Sequence, residues 1–423
     1  MKLADWSESS LSGLLSLISC TSSFKPADAQ NTVQLTQAES IIYESTGSDM
    51  QEPSIPRTLP EVLSKVFSSC ACELKVRKPH VLLNKKSEIP KKFIACAHDK
   101  KVTVKIERLN TPLRFKFFIN ACRVATLLRE QGVLNATPHI SQFYVGAFLN
   151  AKQVFHVLGV DSGMLCEKSL YGMQCQETAG LFSLTKFLEM WVNLLRRKVS
   201  VGDISELEVA RDKFEIFLRS VLFQILYTLH CIQIKCPNVR HNDLHPENIV
   251  LQPIQNPVDL TYEVSSGRKF TLYANSKNYL PSIIDFGWAT NDDKTLPVCP
   301  NTQKNHYVDI HRFVNGVLHI LQPLPRNCLS DSMRSFLKLV VSDELRVPLN
   351  PDLGQFGSIW SPDSAFMIEA DGSWIYPNSP KIGKPLVERT TPARLLTFPL
   401  FNIYRTQKPR AHAEQLLFSC VSN

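Results

Sequence analysis

Two short clusters hold the residues best suited to chemistry: His241-Asn242-Asp243-Leu244-His245-Pro246-Glu247-Asn248 and Asp285-Phe286-Gly287. Transfer of a phosphoryl group asks little covalent work of a protein. It needs positioning, a divalent cation and a carboxylate near the attacking hydroxyl. Asp243, on a tight loop after an apolar helical stretch, can accept or orient the hydroxyl proton. Asn248 can offer its side-chain carbonyl oxygen to a hard cation, as magnesium prefers. Asp285, behind the apolar Ile283-Ile284, can supply the anionic ligand that bridges to phosphate oxygens. Gly287 is expected to let the chain turn sharply after it. Either cluster alone is a weak signal. Together, in this order and with the amide at this offset, they are specific.

Several elements must bring these clusters together. Lys92–Cys96 and Val102–Ile106, separated by His98-Asp99-Lys100, read as a hairpin. Leu113–Glu130 reads as a helix, with Phe117, Phe118, Ala121, Val124, Ala125 and Leu128 recurring at spacings of three and four. Ile140–Leu158 reads as further strands, Met173–Gly180 as a connector, and Ser183 as the start of a helix through Arg197. A long amphipathic helix is predicted from about Asp212 to Gln233, its stripe formed by Phe217, Leu218, Val221, Leu222, Ile225 and Leu229. Short strands follow at Ile249–Leu251 and Ser282–Ile284. Between them lies an inserted hairpin, Asp259–Val264 and Lys269–Ala274, turning at Ser265-Ser266-Gly267. The chain from about Val308 reads as helical, then as proline-rich from about Pro348 to Pro392. Residues 1–57, rich in Ser, Thr, Gln and Asp, read as a disordered leader with a short helix over Ser10–Ser19.

At His241–Asn248 and Asp285–Gly287 the chain resembles the eukaryotic-type protein kinase superfamily, most closely the divergent serine/threonine kinases of large DNA viruses. Val102-Thr103-Val104-Lys105 resembles the strand that carries the ATP-anchoring lysine. Tyr307-Val308-Asp309-Ile310-His311 resembles the start of the helix whose aspartate braces the catalytic loop. Thr391–Leu396 resembles the last helix of the domain. The resemblance implies an α+β, bilobal fold over residues 75–405. A small antiparallel-sheet lobe would span 75–172 and a larger helical lobe 181–405, with 406–423 as a tail. It implies ATP and Mg2+ as cofactors, with Lys105 and Asp243 catalytic and Asn248 and Asp285 holding the metal. Lys105, Asn248 and Asp285 would contact the nucleotide, and Met173 and Glu177 would lie along the adenine. His241 and Asp309 read as structural, Asp309 as a buried carboxylate accepting backbone N–H bonds.

The chain departs from the family pattern in four places. No glycine lies between Gly47 and Gly132, so the phosphate loop, expected near Leu83–Phe93, has none. The helix after Lys105 carries Asn120 where a glutamate is expected; its amide could accept a neutral hydrogen bond from the lysine. Asn242 stands where many kinases have arginine, which argues against switching by phosphorylation. The stretch from Gly287 to Asp309 is short and lacks Ala-Pro-Glu, and His245 replaces a lysine. Three functions follow: phosphorylation of protein Ser/Thr hydroxyls, a pseudokinase scaffold or binding module, and a small-molecule kinase. Thr290, Thr295 and Thr302 read as ordinary loop hydroxyls.

Bulk properties fit these readings. The 423 residues carry a formal charge of +8, spread in short groups, and contain no nucleic-acid-binding motif. Twelve cysteines occur singly, with Cys70 and Cys72 the nearest pair, which points to a reducing compartment, cytoplasm or nucleus, including that of a host cell. No secretory signal is recognised, and no run is expected to reach the roughly 20 apolar residues of a membrane span.

Overall fold

A computed structural model describes residues 92–97, 100–109, 112–149, 171–180, 182–202, 204–274, 278–289, 307–341, 367–368, 374–375, 390–410 and 413–420. The expected leader, its short helix, Cys70, Cys72, residues 83–91 and the three loop threonines lie outside them.

The predicted hairpin is present as β1 (Lys92–Ala97) and β2 (Lys100–Arg108). With β3 (Phe143–Leu149) and β4 (Tyr171–Glu177) they form an antiparallel sheet in the order β1-β2-β4-β3. Helix α1 (Pro112–Glu130) contacts β3 and β4 and buries Phe118, Ala121, Val124 and Leu128, four of the six residues of the expected stripe. Gly172 of β4 permits the close approach: a Cβ there would lie 2.5 Å from the Phe118 ring. The short α2 (Val133–Ala136) follows. The connector expected at 173–180 is corrected: the chain remains extended, paired with β2 through Glu177 and with β3 through Gln176, leaving Thr178–Gly180 to cross to the helical part.

That part begins with β5 (Phe182–Ser183) and α3 (Leu184–Val201), whose N-terminus is capped by Ser183 Oγ accepting from the Lys186 N–H. Helix α4 (Ile204–Lys235) is central, with every residue from Phe217 to Ile232 buried except Arg219. Contrary to the expectation that no run is long and apolar enough to cross a membrane, α4 is both. However, 89% of its most apolar window lies inside the fold, as in the core helix of a globular domain. Helices α5 (Tyr307–Leu321), α6 (Asp331–Val340), α7 (Pro392–Leu396) and α8 (Asn402–Thr406) complete the core around it.

Strands β6 (Ile249–Pro253) and β9 (Tyr279–Ile283) pair antiparallel beside β5. The inserted hairpin lies between them as β7 (Val258–Glu263) and β8 (Lys269–Ala274), turning through Gly267 at φ 72°. A two-residue pair, β10 (Met367–Ile368) with β11 (Trp374–Ile375), lies in the proline-rich stretch. Within the stretch expected as a C-terminal tail, Glu414–Ser419 form β12, which pairs parallel with β7. Just before β12, Arg410 donates its Nε–H to the fully buried Asp259 carboxylate at 2.8 Å and covers the Tyr273 ring. The chain is thus a mixed α+β protein with small, mainly antiparallel sheets.

Candidate active site

The loop that carries Asp243 is built on α5. Asp309, buried in that helix's first turn, accepts the N–H of His241 at Oδ2 and of Asn242 at Oδ1, both at 2.8 Å. This is the role read for it from the sequence. Asn242 has φ 60°, a left-handed conformation that Asn tolerates better than most residues. Its side-chain amide donates to the Trp288 carbonyl at 3.0 Å. His241 Nε2 lies 3.0 Å from the Ile284 carbonyl, which can only accept, so Nε2 carries the hydrogen. Nδ1 then accepts the Asp243 N–H at 3.3 Å. The imidazole therefore spans the two clusters as a strut, its ring tilted against Phe286 with centroids 4.8 Å apart. Arg240, one residue earlier, is buried and donates to the Pro237 carbonyl at 2.8 Å. Burial pulls its pKa down to about 10, against the opposing pull of Asp309.

Asn248 faces Asp243. Its Nδ2 donates to the Asp243 carbonyl at 2.9 Å and approaches Oδ2 at 3.3 Å, which leaves its own oxygen for another partner. The Ile284 N–H donates to the Asn248 carbonyl at 3.0 Å and locks the loop to the strand before Asp285. His245 Nε2 lies 3.3 Å from Asn248 Nδ2 and 3.6 Å from Asp243 Oδ2. A neutral ring can accept from the amide. A protonated ring would face the carboxylate instead.

Asp285 itself takes the left-handed conformation, φ 66°. The sharp turn expected at Gly287 is thus made two residues earlier. Lys105 Nζ reaches Asp285 from β2, 3.3 Å from Oδ2, and lies 4.0 Å from Glu107. Burial alone would lower the lysine pKa, but the two carboxylates outweigh it and hold it above the usual lysine value, so Lys105 is cationic. Asn120 does not serve the lysine as expected. Its amide donates to the Gly287 carbonyl at 3.4 Å and to the Ala289 carbonyl, while the Phe117 ring lies tilted against Trp288 with centroids 4.2 Å apart. Helix α1 therefore holds the segment after Asp285 rather than Lys105.

The two expected adenine contacts separate. Lys105 pairs across the sheet with Gln174, whereas Met173 pairs with Ile106. Side chains alternate between faces, so the side chain of the fully buried Met173 lies on the face opposite Lys105. Glu177 ends β4 on the edge of the crossing segment, its N–H on the Gln142 carbonyl at 2.8 Å and its carbonyl accepting from Ser141. Beside it, the hydroxyls of Thr103 and Thr178 lie 3.1 Å apart and tie β2 to that segment. Gly180 is required here: a Cβ would meet the Leu251 carbonyl oxygen at 2.4 Å.

Lys105 and Asp285 are thus joined directly, as are Asp243 and Asn248, and the two pairs are linked through His241 and Ile284. The sequence reading missed Arg312. It is buried on α5, donates to the Asn242 carbonyl, and places Nη1 3.7 Å from Asp243 Oδ1. The available signal was its position one helical turn after Asp309. Chemically, the arrangement offers a fixed cation, two oxygen-donor side chains and a carboxylate beside them.

No family model matches the chain. A protein of Acanthamoeba polyphaga mimivirus, named a putative serine/threonine-protein kinase, is 26% identical over 213 residues, 46% of this chain and 40% of that protein. An uncharacterized protein of Invertebrate iridescent virus 6 is 37% identical over 67 residues, 16% of this chain and 5% of that protein. The chain spans less than half the length of either relative. The similarity is weak, and it indicates a kinase-like relation to a viral protein.

Proposed function

We propose that the chain is a member of the eukaryotic-type protein kinase superfamily that transfers the γ-phosphoryl group of ATP to serine or threonine hydroxyls of proteins. The four-stranded sheet with α1 would be the small lobe and the helical part the large one, with ATP between them. The carrying observation is the Lys105–Asp285 ion pair, which joins β2 to the second residue after β9 across 180 positions of sequence. On this reading Asp285 and the Asn248 oxygen hold magnesium, a pairing that suits a cation preferring hard oxygen donors. Magnesium, when bound, neutralises charge on the phosphates. Lys105 orients the phosphates, and the Glu177 edge receives the adenine. Asp243 takes the acceptor's proton as its oxygen bonds to γ-phosphorus and the bond to the β–γ bridging oxygen breaks, releasing ADP.

A second reading, a nucleotide-binding module without transfer, is favoured by one observation: Asn120 supplies no carboxylate to Lys105 and binds the loop carbonyls instead. The deciding experiment is transfer of labelled γ-phosphate from ATP with magnesium to generic protein acceptors, with Asp243→Asn as control. Transfer should fall by about 10²-fold or more in the variant, with the nucleotide-induced thermal shift retained. Wild-type turnover in the variant would remove Asp243 from its role. Nucleotide binding without any transfer would select the module, and phosphorylation of small alcohols alone would select a metabolite kinase.

A further inference from the structure

We infer that Arg312 is a positioning residue for Asp243, a cation built into α5 that holds the catalytic loop where residue 242 supplies none. The pairing rests on geometry; its kinetic consequence rests on the proposed function.

One turn of α5 presents opposite charges to the same loop. Asp309 takes the N–H groups of His241 and Asn242, while Arg312 donates to the Asn242 carbonyl and lies 3.7 Å from the Asp243 carboxylate. Both polarities of the peptide at position 242 are therefore satisfied from a single helix. The Arg312 side chain is 4% exposed and the Asp243 side chain 17%, so little water screens them. A guanidinium suits the task because it stays charged when buried and has several donors in a fixed fork, enough for a carbonyl and a carboxylate together. Asn242 is neutral and is engaged at the Trp288 carbonyl. His245 and the Asn248 amide also face Asp243, and of these two only His245 can carry charge. A loop held this way does not need a phosphate on the following segment to supply or pair a charge. This gives the absence of arginine at 242 a physical counterpart.

A double-mutant cycle tests the pairing without requiring activity. Thermal midpoints of the full chain are compared for Asp243→Asn, Arg312→Met and the double variant. Arg312→Met leaves a carboxylate against a desolvated wall, and its midpoint should fall by about 5 °C or more. Removing the carboxylate as well should restore at least about 3 °C of that loss. Shifts that simply add would overturn the pairing. Should Arg312→Met prove insoluble, a soluble double variant supports the pairing and an insoluble one overturns it.

Kinetics then test the positioning. In Arg312→Met, kcat should fall by about 100-fold with KM for ATP within about twofold, and Arg312→Lys should recover about tenfold. An unchanged kcat would overturn the inference. So would a loss shared with ATP affinity and not recovered by lysine, because that pattern marks general damage. If the wild type transfers nothing, the proposed function fails, and the cycle still decides the pairing.

Discussion

His139 makes the fold's stability depend on pH in a way that can be worked out from its contacts. The ring is fully buried, with Nδ1 2.9 Å from the Pro281 carbonyl and Nε2 2.9 Å from the Tyr262 hydroxyl. The carbonyl fixes Nδ1 as the donor, so the neutral ring offers Nε2 as an acceptor to the Tyr262 hydroxyl, which also has Gln224 Oε1 within reach. Burial pushes its pKa down to about 3, partly opposed by the Pro281 bond. In the unfolded chain the value returns to about 6.5. As pH falls below 6.5 the unfolded state takes up a proton that the folded state refuses, so stability is lost across the window from 6.5 towards 3. Between pH 7 and pH 5 the loss is about 2 kcal/mol, from roughly 1.5 pH units at 1.36 kcal/mol each. The assay is denaturant unfolding at both pH values for the wild type and for His139→Gln, whose amide can make both bonds without titrating. The wild type should lose about 2 kcal/mol more than the variant over this interval. Equal losses would refute the reasoning. They would mean that the Tyr262 hydroxyl turns to Gln224 Oε1, 3.3 Å away, and accepts from a protonated ring.

Two further substitutions test the frame of the site. Asp309→Asn keeps one acceptor for two N–H donors and sets its own NH2 against the other. It should cost about 3 kcal/mol in denaturant unfolding and loosen hydrogen exchange at 241–243 before the rest of the core. Gly180→Ala places a methyl group 2.4 Å from the Leu251 oxygen. It should lower the thermal midpoint and weaken nucleotide binding together, read by a nucleotide-dependent thermal shift; unchanged binding would detach this crossing from the cleft.

Much of this architecture was legible because it is periodic or local. The stripes of α1 and α4, the β1–β2 and β7–β8 hairpins and the spacing from Asp243 to Asn248 are each set within a few residues. The failures are of other kinds. Met173 was read by composition as connector, but strand pairing on both sides extends β4 to Glu177, and parity then turns its side chain away from Lys105. Strand β12 was not read from the sequence, since a parallel strand has no local signature and its partner β7 lies far back in the chain. The turn was assigned to Gly287 by residue type. Asp285 instead takes the left-handed conformation, held on one side by Lys105 and followed by carbonyls that bind Asn120. Arg312 was missed because its partner, Asp243, lies about 70 residues away and is met only on folding.

The presence of Asn120 on α1, where a carboxylate could have paired with Lys105, has a consequence for how the site is occupied. Where a helix carboxylate pairs with the nucleotide-binding lysine, that lysine keeps its counter-charge whether or not nucleotide is present. Here the counter-charges are Asp285, at 3.3 Å, and the more distant Glu107, at 4.0 Å. Under the proposed function Asp285 is also the metal ligand. On that reading Asp285 would hold magnesium and Lys105 would hold the phosphates, so occupancy of both sites together would leave neither charge unpaired in a half-buried cleft. Nucleotide without metal would set phosphates beside Asp285 while it still holds Lys105, and metal without nucleotide would strand the lysine. The two should bind with positive coupling, each raising the affinity for the other by the same factor, as linkage requires. Asn120 contributes by clamping the carbonyls just beyond Asp285, so the carboxylate can exchange partners while the chain behind it stays in place.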